Sequence, residues 1–292
     1  MKIAFTSDLH VDVTQRNREL LRYLVEELSI IEPDVFIVAG DVSPGLSELE
    51  IALKAFSSLS CEKLFVAGNH DVWSLPSPET QKRDTKVKYV SEIMSAVLNG
   101  GFTYLVNRGR IIDGVAFVGA MGWFDYSLRN RDLDSVIVQS EYECGRFKNL
   151  QWNDFVHTDW WGLLEGDDSN PVPAGQVARW MTESITTQIE SLLSSSPRSV
   201  VVCTHFLPTQ RLIRFSHDPY LDFSCAYLGS EEMESLTDRF PQISYWIAGH
   251  IHAKRSLDWS GVRFCTSPVG YLRTPDLDLA AVARNSISWF EL

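Results

Sequence analysis

What the sequence lacks narrows its reading first. It has no CxxC pair, and its five cysteines, Cys61, Cys144, Cys203, Cys225 and Cys265, are odd in number and widely scattered. That distribution argues against a disulfide framework or a thiolate zinc site and suits reduced thiols, packed as small apolar residues, in cytoplasm. No stretch approaches the roughly 18 to 20 consecutive apolar residues of a membrane span, and Met1 to Asp8 holds only a short apolar run before a polar cluster. Neither secretion nor membrane insertion is expected. Positive charge is also scarce, with 26 Lys and Arg against 38 Asp and Glu and a formal net charge of -12. Non-specific nucleic acid binding rests on Lys and Arg displacing counterions, so this balance argues against a broad phosphate-binding surface while leaving room for a small, locally positive site. Internal repeats and low-complexity tracts are absent as well.

What is present is a chain of 292 residues, 45% apolar and 22% charged, long enough to bury a large core as one domain spanning 1–292. Five short runs, "KIAFTSDLH", "DVFIVAGDV", "KLFVAGNHD", "VVVCTHF" and "SYWIAGHIH", are rich in β-branched and aromatic residues and then turn polar. Runs of this kind read as strands buried on both faces. Between them lie helical stripes: Leu20, Leu21, Leu24, Val25 and Leu28; Ile51, Ala55, Phe56 and Leu59; Val87, Val90, Ile93, Met94 and Val97; and Val177, Trp180, Met181, Ile185, Ile189 and Leu192. The alternation indicates an α/β domain whose crossovers gather the strand C-termini on one edge, where ligands bind. The segment at about 120–172 breaks this rhythm with Trp123, Phe124, Tyr126, Tyr142, Phe147, Trp152, Phe155, Trp160 and Trp161 among many acids. It reads as a cap or insertion beside the site, with packing against the main core or a subunit contact as the plainer alternative.

Five of the seven histidines, His10, His70, His205, His250 and His252, end an apolar run, and only His157 and His217 lie elsewhere. One such histidine is ordinarily structural; five at strand ends, beside Asp8, Asp41 and Asn69, form a set of imidazole, carboxylate and amide oxygen donors. Without thiolates, that set suits borderline or hard divalent metals such as Mn, Fe, Zn or Co. In an extended strand, residues two apart project to one side, which lets Asp8 and His10 grip one ion. Gly40, Gly68 and Gly249 precede Asp, Asn and His candidates, where a missing Cβ permits unusual turns and a close backbone approach to the ions.

The ordered blocks Asp8-x-His10, Gly40-Asp41, Gly68-Asn69-His70-Asp71, His205 and Gly249-His250-x-His252 resemble the calcineurin-like metallophosphoesterase family, across residues 6 to 252. The resemblance implies a two-sheet β-sandwich flanked by helices, carrying two divalent metal ions. By position it assigns Asp8, His10 and His252 to the first ion, Asn69, His205 and His250 to the second, and Asp41 as the bridge. His70 resembles the family's non-ligand histidine, which touches the phosphate or protonates the leaving oxygen, with Asp71 orienting its ring. The implied activity is hydrolysis of a phosphomonoester or phosphodiester by a metal-bound hydroxide: two ions about 3.5 to 4 Å apart lower the pKa of a shared water and clamp phosphate oxygens. Two such cations against Asp8 and Asp41 leave a cationic pocket within an acidic protein, suited to a small anionic ester.

Rival readings use the same residues. A mononuclear amidase needs fewer ligands than are present. A non-catalytic interaction scaffold on the same fold does not call for the full ligand set plus His70. A metal-dependent nuclease shares the chemistry but lacks a basic stripe. Within the family, "GDVSPG" carries no tyrosine ligand of the purple acid phosphatase kind and departs from the Gly-Asp-x-Val-Asp-Arg-Gly block of phosphoprotein phosphatases, while His70 stands where lipid-A-pathway pyrophosphatases tend to show Arg. Outside the blocks, Arg211, Arg214, Tyr271 and Arg273 are weighed as phosphate contacts or far-edge lining against a solvated or ion-paired role. Trp73 is weighed as a pocket wall against core packing, Cys203 is read as core, and His157 and His217 as surface or loop residues.

Overall fold

A computed structural model of the chain describes residues 1–74, 84–106, 108–163 and 171–292. Along it run β1 (Lys2–Thr6), β2 (Val35–Ala39), β3 (Glu62–Val66), β4 (Thr103–Tyr104), β5 (Arg110–Ile112) and β6 (Val115–Gly119), then a small hairpin of β7 (Arg146–Phe147) and β8 (Leu150–Gln151). They are followed by β9 (Ser199–Cys203), β10 (Ile243–Ala248), β11 (Arg255–Trp259), β12 (Val262–Thr266) and β13 (Ser288–Glu291). One sheet has five strands in the order β13-β1-β2-β3-β4 and the other six in the order β11-β12-β10-β9-β6-β5. The central pairs of both sheets are parallel. The strand C-termini of both therefore meet at one rim.

The apolar runs are continuous because each central strand is buried twice. Alternate residues Ile3, Phe5, Val35, Ile37, Leu64 and Val66 of the first sheet meet Val115, Phe117, Val201, Cys203, Ile247 and Cys265 of the second. The opposite faces, with Ala4, Phe36, Val38, Val118, Val200 and Val202, pack under the helices in a second cluster. The period-two pattern is thus hidden by a sandwich with helices on its outside. Cys203 belongs to the inter-sheet core, as expected of it.

The helices follow their stripes, with two shifts of phase. Helix Gln15–Ile31 buries Leu20, Leu21, Leu24 and Leu28, starts at Thr14, whose hydroxyl accepts from Asn17 N–H, and stops at Glu32 in the left-handed region with φ 52. Helix Leu46–Lys54 buries Leu49, Ala52 and Leu53 instead of the expected stripe. Ile51 is 65% exposed and Ala55 is exposed, whereas Phe56 and Leu59 are buried as the stripe expects but lie beyond the helix end. A π-turn at Lys88–Glu92 interrupts the third stripe and leaves Val87 outside. Helix Ala174–Leu193 matches the fourth.

Of the aromatic-rich segment, residues 120–163 and 171–172 are described and 164–170 lie outside the described residues. Trp123, Phe124, Tyr126, Tyr142, Phe147 and Trp160 are buried in the same cluster as the helix-facing core. Among the described residues no helix is long and apolar enough to cross a membrane.

Candidate metal centre

The named side chains converge at the shared rim, by a local geometry different from the one expected. β1 ends at Thr6, before Asp8 and His10, so the pleat does not aim these two residues. Both instead have positive φ, 56 and 45, as do Asp41 with 59 and His250 with 69. For a residue with a Cβ this backbone costs about 1–3 kcal/mol, and such strain persists only where the surroundings fix it. Here single hydrogen bonds lace the strand ends together: Asp8 N–H to Gly40 C=O at 2.9 Å, His10 N–H to Asp41 C=O at 3.0 Å and Gly249 N–H to His205 C=O at 2.9 Å.

The glycine expectation also needs correcting. Of Gly40, Gly68 and Gly249, only Gly40 has positive φ. A Cβ on Gly68 would lie 2.1 Å from Asp41 Oδ1, and one on Gly40 2.6 Å from His205 Nδ1. These glycines make room for the loops carrying the candidate residues to press on one another.

Donor atoms of Asp8, His10 and His252 lie within 4.8 Å of one another, and so do those of Asp41, His205 and His250. His10 Nε2 is 3.0 Å from His252 Nε2. Asp41 stands between the groups, its Oδ2 3.7 Å from His10 Nε2 and 3.4 Å from His205 Nε2. Asn69 Oδ1 is 3.2 Å from His205 Nε2, and His250 Nδ1 is 3.3 Å from the same atom.

Protonation tests whether this arrangement fits cations. His205 Nδ1 faces Ala39 C=O at 2.8 Å and His250 Nε2 faces Tyr227 C=O at 3.2 Å, so these nitrogens carry the protons and the opposite lone pairs point inward. Asp41 Oδ2, Asn69 Oδ1 and two imidazole nitrogens then face one another as acceptors, which only positive charge reconciles. Burial lowers His10, and burial followed by the other imidazoles pushes His250 down to about 3. Against its burial, the charge of Asp41 pushes His205 up to about 9, and Asp8 raises His252. The carboxyls are held low by the same pairs against their own burial. In each group the carboxylate thus raises one imidazole, and a divalent ion suits the same carboxylate, amide and imidazole donors.

Asp71 does not do what was expected of it. Its oxygens accept from four backbone N–H groups, those of Asp41, Val42, Ser43 and Gly68, at 2.8 to 2.9 Å. Burial and the Asp41 charge push its carboxyl up to about 7, against the N–H bonds from Gly68, Ser43 and Val42. It joins the Asp41 loop to the Asn69 loop and leaves the His70 ring to other contacts. That ring stacks on Trp73, centroids 3.6 Å apart, with Nε2 3.4 Å from Tyr271 Oη. Burial pushes the His70 imidazole down to about 4.

A pocket of about 380 Å³ opens over the centre, lined by Asp41, Asn69, His70, His250 and His252. Its walls are Trp73, Trp152, Tyr220, Phe223 and Tyr271, with the amides of Gln151 and Asn153. Among the described residues lining it there is no Lys or Arg. Arg211 is elsewhere, paired with Glu234 at 2.7 Å and lying over Trp259 at 4.0 Å. Arg214 is exposed, His217 is mostly solvated, and Arg273 sits over the Tyr271 ring. His157 stacks on the Trp73 ring at 4.8 Å.

Two site residues escaped the sequence reading. Lys88 is buried and donates to Pro44 C=O at 2.7 Å and Trp73 C=O at 2.5 Å, closing the loops after Asp41 and Asp71. Asp154, also buried, bonds Asn69, Trp73 and Trp152. The only signal for it was an acid within "QWNDF".

The chain is similar to known proteins in sequence and in fold. A model of the calcineurin-like phosphoesterase family matches residues 1–254. The 3',5'-cyclic adenosine monophosphate phosphodiesterase CpdA of Escherichia coli K12 is 26% identical over 120 residues, covering 39% of this chain and 38% of that protein. The match therefore spans well under half of that curated relative. The crystal structure of a phosphopantetheinyl hydrolase from Mycobacterium tuberculosis superposes with a TM-score of 0.67 at 21% identity, covering 93% of this chain and 90% of that one. A protein of Thermus thermophilus gives 0.53 at 11% identity, covering 99% and 97%. These two likenesses show a common fold.

Proposed function

The chain belongs to the calcineurin-like phosphoesterase family, and from that premise we propose that it hydrolyses a small phosphate ester at a dinuclear metal centre in the rim pocket. The observation that carries this reading is the meeting of two ligand groups at one carboxylate, Asp41, 3.7 Å from His10 on one side and 3.4 Å from His205 on the other. In this reading Asp8, His10 and His252 hold one divalent ion, Asn69, His205 and His250 the other, and Asp41 both. Such ions, when bound, lower the pKa of coordinated water and neutralise phosphate oxygens.

The protein's own groups do the rest. His70, stacked on Trp73 and beside Tyr271 Oη, donates a hydrogen bond to a phosphate oxygen or, once the bound anion raises its lowered imidazole, a proton to the leaving oxygen. Asp71 keeps the Asp41 and Asn69 loops in register through its four N–H contacts. The aromatic walls exclude water and receive the organic part of the ester, which is uncharged and largely apolar, while Gln151 and Asn153 supply neutral hydrogen-bonding groups. Of the described part of the segment at about 120–172, Leu150 to Asp154 act as the cap over the centre, while its other aromatics pack in the main core. Mn, Fe and Zn all suit the donors. Five unpaired thiols accord with a cytoplasmic setting.

The test combines elemental analysis of the purified protein with assays on an aryl phosphate monoester, an aryl phosphate diester and 3',5'-cyclic AMP with added Mn. The cyclic diester enters because of the Escherichia coli relative. Two metal equivalents and turnover that a chelator abolishes and Mn restores are expected. Two bound metals without hydrolysis of any ester would favour the scaffold reading.

A further inference from the structure

One carboxylate from the aromatic-rich segment reaches the metal-facing loop. Asp154 is 1% exposed and opens the short helix Asp154–His157. Its Oδ1 accepts from Asn69 Nδ2 at 2.9 Å and from Trp73 Nε1 at 2.7 Å, and its Oδ2 accepts from Trp152 Nε1 at 2.7 Å. The three donors are one candidate ligand and two walls of the pocket.

We propose that Asp154 is a positioning residue that selects the end of the Asn69 amide facing the metal and fixes the distance between the Trp73 and Trp152 walls. This rests on the dinuclear reading above. The two ends of a side-chain amide are nearly the same size, so packing alone does not choose between them; hydrogen bonding does. A carboxylate only accepts, so it takes the NH2 end of Asn69 and turns the oxygen inward, to 3.2 Å from His205 Nε2. The opposite orientation would present two N–H donors to a cation and remove a ligand. The segment is tied to the described end of this loop by Ser74 N–H to His157 C=O at 3.1 Å, and to the short helix Thr85–Val87 by Thr85 N–H to Asp159 C=O at 3.2 Å. Ligand orientation and wall spacing thus share one anchor.

Two variants separate its two roles. Asp154→Leu removes every acceptor, frees the Asn69 amide and is expected to weaken the Mn equivalent held by Asn69, His205 and His250 by about 10- to 100-fold, the usual loss when a partner of a metal ligand is removed. Asp154→Asn can keep its oxygen toward Asn69 and Trp73 while its NH2 opposes the Trp152 N–H. It is expected to hold both Mn equivalents within about threefold, raise KM for an aryl phosphate diester by roughly tenfold and change kcat little. Trp152→Phe, which deletes that N–H, should relieve the KM defect in the Asp154→Asn background. Free Mn measured by electron paramagnetic resonance during titration reads the affinities. Wild-type protein binding fewer than two Mn would sink the parent reading. Two wild-type equivalents with an undisturbed site at Asn69, His205 and His250 in Asp154→Leu would overturn this inference alone. Should the leucine variant not fold, Asp154→Asn decides: unchanged KM, or weakened Mn binding that Trp152→Phe does not touch, would overturn it.

Discussion

The two halves of the candidate centre are built to different standards of support. Around Asn69, His205 and His250 every inward donor has a partner fixing its far side: Asp154 for the amide, Ala39 C=O and Tyr227 C=O for the rings. Around Asp8, His10 and His252 the support is thinner. His10 Nδ1 is buried with no hydrogen-bond partner among the described residues, and the His252 side chain is 31% exposed. Fixed tautomers and orientations raise metal affinity. One half is therefore pre-formed, and the other, next to His70 and Tyr271, has room to adjust.

Asp41→Ala gives the largest effect, because it strikes both halves. Metal content should fall from two equivalents to one or none and turnover by on the order of a thousandfold. Full occupancy in that variant, measured by elemental analysis, would break the comparison at its centre. His70→Ala should lower kcat by about a hundredfold while both metals stay bound. A loss of metal in step with activity would make His70 a structural member of the open half.

The comparison itself is sharpened by removing one ligand from each half. His205→Ala should weaken the tighter Mn equivalent and His10→Ala the weaker one, each by more than the roughly 10- to 100-fold that loss of a ligand's outer partner costs, as read in a titration. Graded chelation of the wild type should release Mn in two steps, and a single step would mean the halves are equivalent. Arg211→Ala anchors the low end. Its exposed pair with Glu234 contributes at most about 1 kcal/mol, so activity should stay within twofold in a steady-state assay. A tenfold loss would put the guanidinium in contact with substrate after all.

Much of the frame was legible because it obeys local rules. The doubly buried strands announce themselves as continuous apolar runs, and the polar residues closing them do gather on one rim. The direction of individual side chains was less legible. Asp8 and His10 reach the same gap through two left-handed residues, a geometry that alternation along a strand does not describe. Asp71, adjacent to His70 in sequence, turns away to four backbone N–H groups, three of them in a loop about thirty residues earlier. Asp154 meets Asn69 across 85 positions and Trp73 across 81, a pairing that only the packed segment creates. Ile51 misled the helix phase because a lone exposed isoleucine is as apolar in sequence as a buried one.

The most direct test is anomalous diffraction at the Mn edge from crystals of this protein grown with manganese. Two peaks flanking the Asp41 carboxylate, one beside His10 and His252 and one beside His205 and His250, are expected. A single peak away from Asp41, or none at full Mn saturation, would contradict the account.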